Sequence, residues 1–201
     1  MNVTLIDYGA GNVTSVQRAF RRVGAETNVT NRPQEIAAAS CLILPGVGHC
    51  GALIRELDAQ ALRAPLLDAI ARGVPFLGIC LGLQALYQSS DEAPDLAGLG
   101  LLPGRVAQLP RTAKLPHMGW NQVHLRRTSC LLQGISPQAY FYFAHSYAAP
   151  VCGAESAATC CHGRDFVAIL EQANIFGVQF HPEKSAEPGA QLLANFLRVA
   201  A

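Results

Sequence analysis

The segment Gly78-Ile79-Cys80-Leu81-Gly82 joins a buried apolar stretch to the start of a helical pattern. Its spacing is that of a nucleophile elbow, a tight strand-to-helix turn, with cysteine in the place of serine. We expect the turn to strain the backbone of Cys80, and glycine at 78 and 82 to avoid collisions with that central residue. The start of a helix also favours a thiolate. The pattern predicts a thiol nucleophile, although a packed cysteine between two structural glycines would give the same pattern.

A histidine and a glutamate follow the strand-like stretch 175–180, in the sequence His181-Pro182-Glu183. Residues i and i+2 of an extended chain point to the same side. Glu183 can therefore bond one ring nitrogen of His181 and leave the other nitrogen for a nucleophile. That is the arrangement of a base and its orienting group in a catalytic triad. A lone histidine at a strand end is more often structural, but its combination with Cys80 favours a catalytic role.

A glycine-rich turn, Pro45-Gly46-Val47-Gly48, follows another strand-like stretch. Open α/β sheets bind ligands at the carboxyl ends of their strands, and the backbone N–H groups of such a turn can stabilise an oxyanion. Taken alone, the turn is an ordinary strand–helix connection. Together with a thiol and a His–Glu pair on the same sheet edge, it predicts acyl-transfer chemistry.

Apolar strands alternate with helical patterns in the first half of the chain, which predicts a mostly parallel sheet with helices on both faces. The predicted strands are 3–6, 27–30, 41–44 and 75–79. The predicted helices are 13–23, with Asn12 as N-cap and Gly24 as stop, a short one from Pro33, then 53–71 and 81–88. The second half adds an antiparallel strand region and a last helix over 189–199. Its predicted strands are 106–109, 122–125, 140–147, 166–171 and 175–180, with a hairpin at Asn174.

The composition excludes several classes of protein. Half of the 201 residues are hydrophobic, 14% are charged and the net charge is +1. These values argue against a disordered chain and give no electrostatic case for nucleic acid or an anionic membrane. The seven cysteines are odd in number and irregularly spaced, the amino terminus lacks the features of a signal peptide, and the longest uncharged apolar run, 74–83, is too short to span a bilayer. We expect a soluble, cytoplasmic protein with one domain, 1–201.

These residues together resemble class I (triad-type) glutamine amidotransferase domains, and the resemblance covers essentially the whole chain. More narrowly, the sequence is similar to the glutaminase subunits of imidazole glycerol phosphate synthases, which serve histidine biosynthesis. The elbow and the His-Pro-Glu segment carry the family resemblance. The narrower one rests also on Asp7-Tyr8-Gly9-Ala10-Gly11-Asn12, Pro45-Gly46-Val47-Gly48-His49, Pro116-His117-Met118-Gly119-Trp120-Asn121, Tyr142-Phe143-Ala144-His145-Ser146-Tyr147 and Phe180-His181-Pro182-Glu183-Lys184-Ser185.

The resemblance implies glutamine hydrolysis through a glutamyl thioester, with no cofactor and no metal. Cys80 would be the nucleophile, His181 the proton shuttle and Glu183 its orienting group. The remaining implied roles fall into three sets. The oxyanion would be held by Val47, Gly48 and Leu81; the substrate by Gln84, His145, Ser146 and Tyr147; and the interface and its gating would involve Asn12, Trp120, Tyr142 and Lys184.

The partner that the resemblance implies is a (β/α)8 cyclase, which would form a heterodimer with this chain and use its ammonia to make imidazole glycerol phosphate and AICAR. The segment 148–164 has no family signature. Its Cys152, Cys160 and Cys161 lack the paired spacing of a zinc site, so we expect them to be structural or incidental.

Three alternatives stay open at this point. The chain could be a glutaminase for another synthase, a stand-alone thiol hydrolase acting on γ-glutamyl compounds, or a regulator that keeps the fold without the activity. The presence of Cys80, His181 and Glu183 disfavours the regulator. The His-Met-Gly-Trp-Asn segment, which has no evident role without a partner, disfavours the stand-alone hydrolase.

Overall fold

The computed structural model describes residues 2–10, 12–151 and 153–201. The strands of these ranges are β1 (Asn2–Ile6), β2 (Glu26–Thr30), β3 (Leu42–Gly46), β4 (Phe76–Cys80), β5 (Tyr87–Ser90), β6 (Leu102–Gln108), β7 (His117–Gln122), β8 (His124–Leu125), β9 (Tyr140–His145), β10 (Tyr147–Ala148), β11 (Ser156–Cys161), β12 (Asp165–Gln172) and β13 (Ile175–Val178). The helices are α1 (Val13–Arg22), α2 (Pro33–Ala37), α3 (Cys50–Ala59), α4 (Arg63–Ala71), α5 (Leu81–Gln84) and α6 (Ala186–Val199), and Pro182–Lys184 form a 3-10 turn.

The central sheet has eight strands within the described ranges, in the order β2-β1-β3-β4-β13-β12-β11-β8. The five strands from β2 to β13 pair in parallel, and the pairs β13–β12, β12–β11 and β11–β8 are antiparallel. Two smaller sheets, β10-β6-β5 and β7-β9, flank it. The predicted fold class, a mostly parallel sheet with an antiparallel region from the second half, is confirmed.

Helices cover both faces of the parallel strands, which explains why β3 and β4 are buried along their whole length. On one face, Leu5 and Leu77 belong to an apolar cluster that includes Phe20 of α1 and Phe196 of α6. The opposite face belongs to a second cluster, which takes in residues of α2, α3, α4 and α5. With its faces closed, the sheet leaves the carboxyl ends of its parallel strands as the place where side chains and turns converge.

The predicted helix over 53–71 is wrong in one respect, because the chain turns within it. Ala61 has a φ of +55°, and the N–H of Leu62 bonds back to the carbonyl of Leu57. This is the geometry that ends a helix at a residue of left-handed conformation. The segment is therefore two helices, α3 and α4, and alanine replaces the glycine that usually marks such a stop.

The predicted helix over 81–88 is also too long, since α5 ends at Gln84 and the chain continues as β5. The carbonyls that a longer helix would use are taken by another segment. The N–H of Leu99 bonds to the carbonyl of Ala85, and the N–H of Leu102 bonds to that of Leu86. Long-range backbone pairing thus stops the helix after one turn.

The antiparallel half follows the prediction at the β12–β13 hairpin, whose turn contains Asn174. The Asn174 side-chain amide donates to the carbonyls of Ile70 and Val74, each at 2.9 Å, and ties the hairpin to the end of α4. Two further strands differ from the prediction. The segment without a family signature contains β11, and β7 begins at His117, upstream of the predicted strand.

Helix α1 begins at Val13, so Asn12 occupies the predicted N-cap position, and Gly24 has the positive φ expected just beyond the end of the helix. The predicted N-cap is confirmed, although the Asn12 side chain makes no capping hydrogen bond. None of the helices formed by the described residues has the length and apolar character required to cross a bilayer.

Candidate active site

Cys80 is the last residue of β4 and the N-cap of α5, and it has a φ of +55° and a ψ of −103°. A residue other than glycine rarely adopts a positive φ, and strained backbone of this kind clusters at functional sites. The side chain is 4% exposed and lines a cavity of about 230 Å³. The strained turn predicted for the elbow is therefore present.

The two elbow glycines are required by close backbone packing. A Cβ on Gly82 would lie 1.9 Å from the carbonyl oxygen of Leu44 in β3, and one on Gly78 would lie 2.5 Å from the backbone of Gly82. The prediction that both glycines avoid collisions is confirmed. The predicted collision partner is wrong, because the nearest atoms belong to Leu44 and Gly82 and not to Cys80 itself.

His181 and Glu183 form a buried pair next to the thiol. The Nδ1 atom of His181 lies 2.9 Å from Oε1 of Glu183, and the two side chains are 3% and 1% exposed. Strand β13 already ends at Val178, and Pro182 starts the 3-10 turn, so a turn brings the two residues together and not the extended chain that we assumed.

The His181 ring is held in its charged form by its neighbours. Burial alone would lower the pKa of His181, but hydrogen bonds with Cys80 and Glu183 and the charges of both groups raise that pKa to about 10. An imidazolium beside a cysteine favours the thiolate, which is the reactive form of the nucleophile.

The three proposed oxyanion residues line the same cavity as the thiol. Leu81 is the first residue of α5, where a backbone N–H has no acceptor within the helix. Gly48 has a φ of +93°, and a Cβ there would meet nothing within 4 Å. The peptide that joins Val47 to Gly48 thus lies in the wall of the cavity, with open space beside Gly48.

Gln84 has its side-chain amide fixed in one orientation. Its Nε2 donates to the carbonyl of Tyr147 at 2.7 Å and to Oε1 of Gln179 at 3.0 Å. Its Oε1 is buried and accepts no hydrogen bond from the described residues. Gln84 thus lines the cavity with its amide held in place by two acceptors.

Gln179 and Glu92 are two residues near the thiol that the sequence analysis missed. Gln179 is fully buried and its Nε2 donates to the Cys80 sulfur at 3.6 Å. The i, i+2 rule would not have found it, because β13 ends at Val178 and residues 179–181 no longer form a strand. Glu92 lines the cavity while it accepts a hydrogen bond of 2.7 Å from the Cys50 N–H at the start of α3, and its position relative to the site has no sequence signal.

The segment His145-Ser146-Tyr147 lines the cavity, as expected for substrate-binding residues. Both ring nitrogens of His145 are occupied, however: Nδ1 lies 2.8 Å from the carbonyl of Tyr147, and Nε2 lies 3.0 Å from Nδ1 of His117. We therefore no longer expect the His145 ring to bind substrate.

Three of the four predicted interface residues lie side by side. The Trp120 ring, 53% exposed, meets the Tyr142 ring edge to face at 5.9 Å, and the Lys184 ammonium stands 5.7 Å from the centre of the Tyr142 ring. Lys184 also lines the cavity. Asn12 lies apart in the sequence, before α1, in a turn whose Gly11 is outside the described residues.

The cysteines of the segment 148–164 differ in their surroundings. Cys160 is buried in β11, which raises the pKa of its thiol to about 12, and Cys161 is exposed. Cys152 lies outside the described residues. In the part of the chain that is described, no group of three or more His, Cys, Asp or Glu side chains could hold a metal ion.

A parallel sheet carrying a cysteine elbow, a buried His–Glu pair and a glycine turn at one edge defines a triad-type amidotransferase. Consistently, residues 4–200 match the family model described as "Glutamine amidotransferase class-I", and the chain belongs to this family. The predicted family and enzyme class are thereby confirmed.

Relatives that match nearly the whole chain carry a name more specific than the family's. The chain is 47% identical over 197 residues to the "Imidazole glycerol phosphate synthase subunit HisH" of Methanothermobacter thermautotrophicus, with 98% of each chain covered. It is 47% identical over 195 residues to the HisH subunit of Moorella thermoacetica, covering 96% of this chain and 93% of the relative. A solved structure described as "Crystal structure of glutamine amidotransferase" superimposes with a TM-score of 0.79 at 18% identity over 98% of both chains, which supports the fold.

Proposed function

We propose that this chain is the glutaminase subunit of an imidazole glycerol phosphate synthase. It hydrolyses glutamine to glutamate and ammonia at Cys80 and passes the ammonia to a cyclase subunit. The observation that carries the proposal is that Cys80, His181 and Gln84 line one cavity and that Glu183 bonds the His181 ring. The names of the relatives at 43–47% identity support the choice of synthase.

The reaction starts when the Cys80 thiolate attacks the side-chain amide carbon of glutamine. The oxygen of the tetrahedral intermediate takes the negative charge and accepts hydrogen bonds from the N–H of Leu81 and from the turn at Val47 and Gly48. His181 gives its proton to the leaving nitrogen, so ammonia departs and a thioester remains. Water then attacks the thioester while His181 takes its proton, which releases glutamate and restores the thiolate.

The walls of the cavity suit the polar groups of glutamine. The carboxylate of Glu92 is an acceptor in this wall, and glutamine brings N–H donors in its amide and its α-ammonium group. We assign the backbone of Ser146 and Tyr147 to the amino-acid end of the substrate. These contacts leave the amide carbon to face the Cys80 sulfur.

The partner surface that we propose is the outward face of the β7–β9 ribbon. Met118, Trp120 and Tyr140 are exposed there, and Trp120 pairs with Tyr142 across the two strands. Exposed aromatic residues in a contiguous patch are typical of binding hot spots. We propose that a (β/α)8 cyclase covers this ribbon, that Asn12 and Lys184 contribute to the same interface, and that the single domain 1–201 works in the cytoplasm.

Control of the activity is proposed to lie in the Val47–Gly48 peptide. In one orientation its N–H points toward the oxyanion, and in the other its carbonyl does. The open space around Gly48 permits this rotation at low steric cost. Loss of one oxyanion donor slows a reaction about 10²–10³-fold, so the isolated chain is expected to be a poor glutaminase that the partner activates.

The test measures ammonia release from glutamine by the chain alone, with purified cyclase, and with cyclase and its nucleotide ligand. We expect a rise of at least about 10²-fold in the last case. Cys80→Ala should abolish hydrolysis while the complex still makes product from ammonium salts, and Cys161→Ala, which removes an exposed cysteine outside the cavity, should behave as wild type. Full activity of the isolated chain would instead favour a stand-alone hydrolase.

A further inference from the structure

We propose that His117 is a positioning residue for glutamine binding, acting through a buried chain of hydrogen bonds that ends at Cys80. The inference deepens the proposed glutaminase function and rests on it. His117 lies on the inward side of β7, is 5% exposed and does not line the cavity. Its effect on the reaction therefore has to pass through other side chains.

The chain of hydrogen bonds starts at Asn121 and runs through two histidines. The Asn121 amide nitrogen lies 3.3 Å from Nε2 of His117 and also donates to the carbonyl of Cys161 at 3.2 Å. Nδ1 of His117 lies 3.0 Å from Nε2 of His145, and Nδ1 of His145 lies 2.8 Å from the carbonyl of Tyr147.

Only one set of protons satisfies these contacts. A carbonyl oxygen accepts and cannot donate, so Nδ1 of His145 carries a proton and Nε2 of the neutral ring is an acceptor. Nδ1 of His117 must then donate to it, which leaves Nε2 of His117 to accept from Asn121. Both rings have to be neutral, and burial does lower the pKa of His117 to about 4 and that of His145 to about 3. The Tyr147 carbonyl thus fixes the tautomer of His145, and Asn121 and His117 complete the chain by directing a donor at its Nε2.

The Tyr147 carbonyl passes this constraint to the cavity. It accepts hydrogen bonds from both His145 and Gln84, so the Gln84 amide must present its nitrogen to Tyr147. The same amide nitrogen bonds Oε1 of Gln179, whose own amide donates to the Cys80 sulfur. His145, Tyr147 and Gln84 all line the cavity. If His145 lost the donor at its Nε2, its ring could move away from Tyr147, and the wall that receives the substrate would shift.

A purely structural role for His117 is the alternative to exclude. Its ring also stacks on Phe143 with centroids 4.7 Å apart and on His162 with centroids 4.2 Å apart. His162 shares that stack, but its Nε2 bonds the carbonyl of Lys114, outside the chain of hydrogen bonds. His162 therefore provides a control for packing without hydrogen bonding to the site.

The experiment compares three substitutions of His117 that separate its two nitrogens. The amide nitrogen of asparagine reaches about as far along the side chain as Nδ1 of histidine, and that of glutamine about as far as Nε2. His117→Asn keeps an N–H donor for His145. His117→Gln keeps a polar group near Asn121 but no donor for His145. His117→Phe keeps only the ring stacking with Phe143 and His162. Each variant is assayed for glutaminase kinetics in the complex with the cyclase, and the ¹⁵N shifts of the His145 ring are measured by NMR in the isolated chain.

We expect His117→Gln and His117→Phe to lower kcat/KM about tenfold, mainly through a higher KM for glutamine. The ¹⁵N shift of Nε2 of His145 should then change, because that atom loses its hydrogen-bond donor while Nδ1 keeps its proton. His117→Asn and the control His162→Phe should stay within about threefold of wild type, with the Nε2 shift of His145 unchanged.

The proposal is overturned if the Gln and Phe variants keep the wild-type KM, or if all four variants lose activity in parallel with thermal stability. The NMR measurement does not depend on activity. If the wild-type complex releases no ammonia while the Nε2 shift of His145 responds as expected, the proposed function fails and the hydrogen-bonded chain stands.

Discussion

The exchange of Glu183 for glutamine removes one charge from the site and leaves its shape nearly unchanged. The Glu183 carboxylate is 1% exposed and bonds Nδ1 of His181 at 2.9 Å. A glutamine oxygen in the same place can still accept that proton. What is lost is the charge that stabilises the imidazolium, so Glu183→Gln is expected to lower the pKa of His181.

The size of the effect follows from the kind of bond that is weakened. A hydrogen bond to a charged group contributes about 1.5–3 kcal/mol, which corresponds to about 10–150-fold in rate if it is realised in the transition state. We therefore expect Glu183→Gln to lower kcat by about 10²-fold. His181→Ala removes the proton shuttle itself and should cost about 10⁴-fold or more.

The assay is glutamine-dependent ammonia release by the complex, with turnover from ammonium salts as the measure of an intact partner. The double variant His181→Ala/Glu183→Gln should be no slower than His181→Ala alone, because Glu183 acts only through the ring. A double variant whose loss equals the product of the two single losses would refute this reasoning. So would a Glu183→Gln variant that is slower than His181→Ala.

Three further predictions concern the elbow, the hairpin and pH. Gly82→Ala has to displace the Leu44 carbonyl, so we expect the free energy of unfolding to fall by about 1–3 kcal/mol or more and glutaminase activity to fall with it. Asn174→Ala removes two hydrogen bonds at the end of α4 and should lower the free energy of unfolding by about 1–3 kcal/mol in a denaturant titration, with glutaminase activity retained. Because the pKa of His181 is raised to about 10 in the folded protein, its stabilising contribution is complete below about pH 6.5 and is lost as the pH rises through 10. Denaturant titrations at several pH values should therefore show a steeper decline over this window for wild type than for His181→Ala; parallel curves would contradict the assignment.

Most of the site could be predicted from residue types at short spacings in the sequence. The elbow glycines and the His-Pro-Glu segment need particular residue types at short spacings, and these are visible in a sequence. Gln179 could not have been found by the same reasoning, because the strand ends at Val178 and a turn leads the chain to His181. Glu92 could not be found either, because it reaches the cavity from a segment whose place depends on pairings far along the chain.

The errors in the fold have a similar origin. The break at Ala61 escaped detection because alanine is a good helix former and no glycine or proline marks the turn. Helix α5 ends early because distant N–H groups of Leu99 and Leu102 take its next carbonyls, a competition that no local pattern contains. The hydrogen bond between His145 and His117 was not foreseen, because the two residues lie 28 positions apart in the chain.

The contact between the elbow and β3 has a consequence for how the site tolerates change. Gly82 touches the Leu44 carbonyl, Gly46 lies opposite Cys80 in the sheet, and a Cβ on Gly46 would come within 2.5 Å of the Cβ of Leu81. The separation between Cys80 and Gly46, the residue before the oxyanion turn, is thus fixed by the close packing of β3 against β4 and α5. Substitutions among the surrounding side chains can alter the affinity for substrate, but they have little effect on this separation. The nucleophile and the strand that carries its oxyanion turn behave as one rigid body, and the freedom to regulate the site begins after Gly46.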